Sequence, residues 1–191
     1  MALLAIGLLI FLGMHSIRIV IPEWREKRIE RLGKMTWRGL YSLASLLGFA
    51  MIVVGFGDAG GEEPVWQPPA FMAHVTALLV LIAFILVAAA YVPGNRIKPR
   101  VGHPMLLGVK SWAAGHLLSN GEPRDFLLFG AFLAWAVVDY AASRRRDRAA
   151  GVSYPAGGPR GDGLTVAVGV VGWAVFAFYL HRALIGVSPL G

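Results

Sequence analysis

Residues 104–119 read PMLLGVKSWAAGHLLS, and the topology of the whole chain turns on whether this segment crosses a membrane. It is short for a span, which needs about 20 mostly apolar residues, and it carries Lys110 and His116. Hydropathy alone leaves it open, but the charges around it decide. Arg25, Lys27, Arg28, Arg31, Lys34 and Arg38 follow the first apolar block, and the loop after the second block holds no Lys or Arg. Arg96, Lys98, Arg100 and Lys110 lie around the start of the segment, only Arg124 follows it closely, and Arg144, Arg145, Arg146, Arg148 and Arg160 come after the next block. If 104–119 crosses, fifteen of the eighteen Lys and Arg residues fall on one side, as the positive-inside rule requires. If it does not, the run from Arg144 to Arg148 lands on the wrong side.

Six spans follow, at about 2–20, 37–56, 71–91, 104–119, 126–140 and 164–185. The expected fold is an all-α, polytopic integral membrane bundle of six transmembrane helices. Both termini are then extracytoplasmic and the basic loops cytoplasmic, as in a multi-pass protein of the cell inner membrane. The start, Met1-Ala2-Leu3-Leu4-Ala5, lacks a basic n-region and a small-residue cleavage site, so it reads as a retained first span.

Composition agrees. The chain is 57% hydrophobic and only 15% charged, with mean hydropathy +0.62, against about 25% charged for a soluble domain. Six blocks in 191 residues leave no room for a soluble domain. The net charge of +7 sits beside apolar blocks, so membrane lipids, not nucleic acid, are the expected partner of the basic residues. With no cysteine, disulfides, iron–sulfur clusters and thiolate-held or covalently attached haem are excluded. The Gly- and Pro-rich stretch 147–162 reads as a flexible cytoplasmic loop. Residues 23–34, with Trp24, Ile29 and Leu32 among charges, read equally as an interfacial amphipathic helix or a solvated connector. Trp37, Trp66, Tyr91 and Tyr140, near span ends, read as belt anchors.

A polar group within a span is costly, so the five histidines stand out. His15 lies well inside the first span and needs a partner there; Arg18 is one turn on, a cation for an anionic group such as a haem propionate. The reading is either an axial metal ligand or a histidine bonded to a neighbouring helix. Pro104 suits the first position of a helix, which puts His103 at its N-cap. His103 and Lys110 share one face, and Trp112, His116 and Asn120 share another. On that second face Trp112 could pack on a macrocycle and Asn120 could orient His116, or the stripe could be ordinary helix packing. Arg96 and Arg100 are further cations for an anionic group. His74 and His181 lie near the other interface, where histidine needs no special role. Asp139, beside the arginine run, reads as an ion pair. Walker, dinucleotide, His-Glu-x-x-His and nucleophile-elbow motifs are all absent.

The segments Met14-His15-Ser16, Tyr91-Val92-Pro93-Gly94-Asn95-Arg96, His103-Pro104-Met105 through Lys110, Trp112 through His116 to Gly121, and Leu128 through Trp135 to Asp139 resemble the NnrU family. The likeness runs over most of the chain, as one NnrU-like membrane domain spanning 1–191, and is weakest between Asp147 and Gly163. The family takes its name from nitrite and nitric oxide reduction in denitrifying bacteria, and its plant and cyanobacterial relatives are haem-dependent 15-cis-zeta-carotene isomerases. The resemblance implies a haem b, with His15 and His116 matching the isomerases' histidines. A cysteine three residues before the second histidine is replaced here by Ala113, which removes any Cys-to-His ligand exchange.

The expected function is an integral membrane b-type haem-binding protein of nitrite and nitric oxide metabolism. The alternatives are a haem-dependent cis–trans isomerase of a carotenoid-like polyene and a transporter of a small molecule or anion. Whether it is an enzyme is left open. Partners on these readings are a hydrophobic small molecule or nitrogen-oxide reductase components. His15 and His116 are the expected metal ligands, with His103, Arg18, Lys110, Trp112 and Asn120 also around the cofactor. By depth, His103 lies on the same side as His15, so it stays open as the alternative second ligand.

Overall fold

A computed structural model describes residues 1–190, and no strand occurs among them. The helices are α1 (Ala2–Val20), α2 (Pro22–Leu32), α3 (Lys34–Asp58), α4 (Met72–Tyr91), α5 (Ile97–Val101), α6 (Pro104–Ser119), α7 (Pro123–Ala149), α8 (Pro159–Val175) and α9 (His181–Ile185), with a π-helical turn at Phe176–Leu180. Five stretches are long and apolar enough to cross a membrane: α1, α3, α4, α7, and α8 through α9. Only 17–22% of each such apolar window is buried within the protein. The side chains turned outward are Leu, Val and Phe, so hydrocarbon is the solvent that suits them. The fold is thus all-α and multi-pass. At 16 residues, α6 is a short sixth element, about 24 Å at 1.5 Å per residue.

The chain divides into two compact units. The first comprises Met1–Trp66 and Glu122–Trp135, that is α1 to α3 with the first half of α7. Here α1 and α3 run antiparallel and touch at glycines. A Cβ on Gly7 would stand 2.7 Å from the Ile52 amide nitrogen, one on Gly48 would stand 2.8 Å from that of Phe11, and one on Gly55 would run into the Leu4 backbone. Small residues at such crossings let backbones approach, which is how helices associate when lipid removes the hydrophobic drive. Pro22 ends α1 and opens α2, a helix with no buried residue. Trp37 is buried, edge-on to Trp24 at 6.0 Å, and so joins α3 to α2.

The second unit comprises Gln67–Gly121 and Ala136–Gly191. Both α6 and α8 run antiparallel to α4. Thr76 Oγ1 donates to the Gly115 carbonyl at 2.6 Å and Ser111 Oγ to the Leu79 carbonyl at 2.7 Å; each such bond between membrane helices contributes roughly 0.6 kcal/mol. Since Gly115 lies beside Thr76, near the start of α4, α6 returns the chain along most of α4 despite its length. On α8, a Cβ on Gly169 would stand 2.6 Å from the Ile85 Cα.

The turn after α4 explains Tyr91-Val92-Pro93-Gly94-Asn95-Arg96. Proline cannot continue the helix, and Gly94 takes φ +69°, open to glycine at little cost. Asn95 is 3% exposed, and its side chain donates to the Ala89 and Val92 carbonyls and accepts from the Lys98 amide. It therefore ties the end of α4 to the start of α5. The stretch 147–162 is laid onto this turn, which corrects its reading as a flexible loop. The Gly158 amide donates to the Gly94 carbonyl at 2.8 Å, Arg96 pairs with Asp162 at 2.5 Å, and a Cβ on Gly157 or Gly161 would collide with the backbone of Gly94 and Asn95.

Candidate cofactor site

In the first unit the site centres on His15. Its Nδ1 stands 2.7 Å from the Phe11 carbonyl, one turn back. A carbonyl only accepts, so Nδ1 carries the hydrogen, and in the neutral ring Nε2 carries the lone pair. Nε2 has no partner among the described residues. Aromatic rings surround the imidazole: Phe11 stacks on it at 4.3 Å, Tyr41 of α3 lies at 5.4 Å, and Trp135 of α7 stands edge-on at 6.0 Å. Phe11 in turn touches Phe49 and Phe132. The three helices thus meet around one histidine whose nitrogens are distinguished. The backbone carbonyl answers the question the sequence posed, namely what partner allows His15 to sit inside a span. Arg18, one turn on, is exposed.

The second unit holds the other candidates on α6. Pro104 is at the first helical position and His103 is the N-cap, as expected. His103 Nε2 lies 2.9 Å from Asp147 Oδ2, and the same oxygen accepts from the Tyr154 hydroxyl at 2.6 Å. Burial, together with the bond to Asp147, pushes the Tyr154 phenol up to about 12. His103 and Lys110 do share a face, and both meet Tyr140: the ammonium sits 4.1 Å from the ring centroid and the imidazole stands edge-on at 6.5 Å. The Tyr140 hydroxyl donates to the Val101 carbonyl at 2.9 Å, so this tyrosine ties two elements together. Asp139 pairs with Arg146 at 3.6 Å, as its position suggested.

At the other end of α6, His116 shares with His15 a bond to the carbonyl four residues back. Its Nδ1 lies 2.8 Å from the Trp112 carbonyl, and the Trp112 ring lies 5.4 Å from its own. Asn120, the C-cap, donates to the main-chain carbonyl of His116 at 2.8 Å. That bond closes the helix end. His181 follows the π-helical turn at Phe176–Leu180. Such turns interrupt helices mostly at functional positions. His103 and His116 are 13 residues apart on one helix, roughly 20 Å by rise, so a single iron cannot take both.

Tyr41, Ser45, Trp135, Asp147 and Tyr154 were not singled out from sequence. For the α3 pair there was a signal, polar groups at four-residue spacing within an apolar span. For the others only the fold reveals the contact. No group of three or more His, Cys, Asp or Glu converges among the described residues. A metal held by the protein's side chains alone has no cage there, whereas a macrocycle supplies four of its own ligands and asks the protein for one or two.

No curated protein and no solved structure matches the chain. The family model described as NnrU protein matches residues 3–189, through both units and every segment discussed above. The chain therefore belongs to the NnrU family.

Proposed function

We propose that this NnrU protein is a b-type haem protein of the cell inner membrane, with both termini extracytoplasmic, acting in nitrite and nitric oxide metabolism. The observation that carries the haem is His15: an imidazole inside an apolar span, its tautomer held by the Phe11 carbonyl, with Nε2 unpartnered among the described residues. Second-sphere bonds of this kind orient metal-ligating histidines and raise their basicity. The aromatic walls of Phe11, Tyr41 and Trp135 suit a flat apolar macrocycle. His116, with the same tautomer, is the proposed ligand of the second unit. His103 is less suited, because its Nε2 is engaged by Asp147. A bound haem would supply one-electron chemistry; the chain's own residues orient the imidazoles and keep water from them.

The test is an absorption spectrum of the full chain, expressed with haem supplied and purified in detergent. A Soret band that co-elutes with folded protein is expected. Its absence would overturn the haem reading and favour transport of a small molecule or anion. Reporter fusions near Arg31 and Arg146 should report cytoplasm, and those near Glu62 and Glu122 the opposite side.

A further inference from the structure

Within the first unit, two buried polar side-chain atoms have no hydrogen-bond partner among the described residues and no ion pair: Ser45 Oγ and Trp135 Nε1. A third, Arg124 Nε, does face a carboxylate, Glu122 Oε2 at 2.8 Å. Both orphans belong to the helix faces that meet around His15. Trp135 touches its ring directly. Ser45 lies one turn from Tyr41, which touches His15, and one turn from Phe49, which touches Phe11.

The two atoms are not equal. A helical serine can turn its hydroxyl to the carbonyl four residues back, as Ser16 does to Leu12 at 2.7 Å. The indole N–H has no such rotor and can only donate. Buried polar groups are ordinarily satisfied, and within a membrane water does not serve as the partner. Whatever sits beside His15 must therefore offer an acceptor. A hydrocarbon polyene offers none. A b-type porphyrin offers strong acceptors only at its two carboxylates, its remaining periphery being methyl and vinyl groups. The cations suggested from sequence are partly engaged in the second unit: Arg96 is paired with Asp162, and Lys110 lies over Tyr140.

We infer that Trp135, assisted by Ser45, donates a hydrogen bond to a carboxylate of the porphyrin ligated at His15. The inference rests on the haem reading of that histidine. It gives two neutral donors a task that sequence assigns to cations. A hydrogen bond to an ionised acceptor is the stronger kind.

The experiment titrates the detergent-purified full chain with haem b and, separately, with iron etioporphyrin, which has the same metal and ring but no carboxylates. The readout is the Soret change on binding. Trp135→Phe keeps a ring and removes the donor. It should weaken haem b about tenfold and leave iron etioporphyrin within about twofold. Ser45→Ala should show the same selectivity with a smaller loss, and it carries the test should the indole variant fail to fold. Equal weakening of both pigments, or of neither, overturns the inference while leaving haem binding intact. If the unaltered protein binds neither pigment, the haem reading itself fails, and the inference with it.

Discussion

His15 and His103 both lie within the stretch that the family model matches, yet their surroundings differ in kind. His15 is held by a backbone carbonyl of its own helix and by rings, with no carboxylate partner among the described residues. His103 sits at a helix N-cap, bonded to Asp147, which also holds Tyr154. The first arrangement fixes a ring and leaves a lone pair for a ligand. The second engages a nitrogen in a carboxylate network that fastens the 147–162 stretch to the end of α7. The lesson is that the chemistry of a histidine follows from what its second nitrogen can still do, not from the motif that carries it.

The largest expected effect separates the two directly. His15→Ala should abolish or strongly shift the Soret band, whereas His103→Ala should leave it nearly intact. Size-exclusion chromatography checks that each variant is folded. The reverse pattern would make His103 the ligand and His15 a packing residue. His116→Ala should behave like His15→Ala.

Next in size is a steric change confined to the second unit. A side chain at Gly161 collides with the Gly94 backbone, which has no flexible end to yield. Gly161→Val should lower stability by about 3 kcal/mol, read from thermal unfolding in detergent, without altering the position of a haem band. A variant as stable as the parent would mean that the 147–162 stretch is not held on the Asn95 turn.

A milder test addresses the network. Asp147→Asn keeps the shape but weakens the acceptor that His103 and Tyr154 share. It should open the 147–162 stretch to limited proteolysis, with the spectrum unchanged. A spectral change of the size seen for His15→Ala would link His103 to the iron after all.

The smallest effect is one of pH. The Tyr154 phenol is raised from 10.0 to about 12, so folding favours its protonated form. Its contribution to stability is fully present below pH 10 and is lost as pH rises through about 12. Tyrosinate absorbance should include a late-titrating phase from Tyr154 that Tyr154→Phe lacks. A titration that is the same in Tyr154→Phe would show that Tyr154 is not held by Asp147.

The helical, multi-pass architecture was legible from the chain, because apolar blocks of span length and the charge bias of the loops are one-dimensional signals. The N-cap at His103, the stripe from Trp112 to Asn120 and the Asp139 ion pair followed from spacing along one helix. The membrane setting of His15 was legible too, but its companions were not. Phe11 lies one turn away, while Tyr41, Ser45 and Trp135 are brought to it by packing between α1, α3 and α7. The 147–162 stretch was misread for the same reason. Its glycines suggest freedom, yet Gly157 and Gly161 are small because the backbone of Gly94 and Asn95 lies against them.

Sequence by itself determined which segments prefer hydrocarbon, where helices start and stop, and which residues are too polar to be in a span without a partner. These are properties of a residue and its near neighbours. Tertiary structure alone decided that Asp147 holds His103 and that an indole N–H stands beside His15 with no acceptor among the described residues. Such facts depend on atoms dozens of residues apart coming within 3–6 Å. Helix packing sets those distances, and periodicity along one chain carries no record of them.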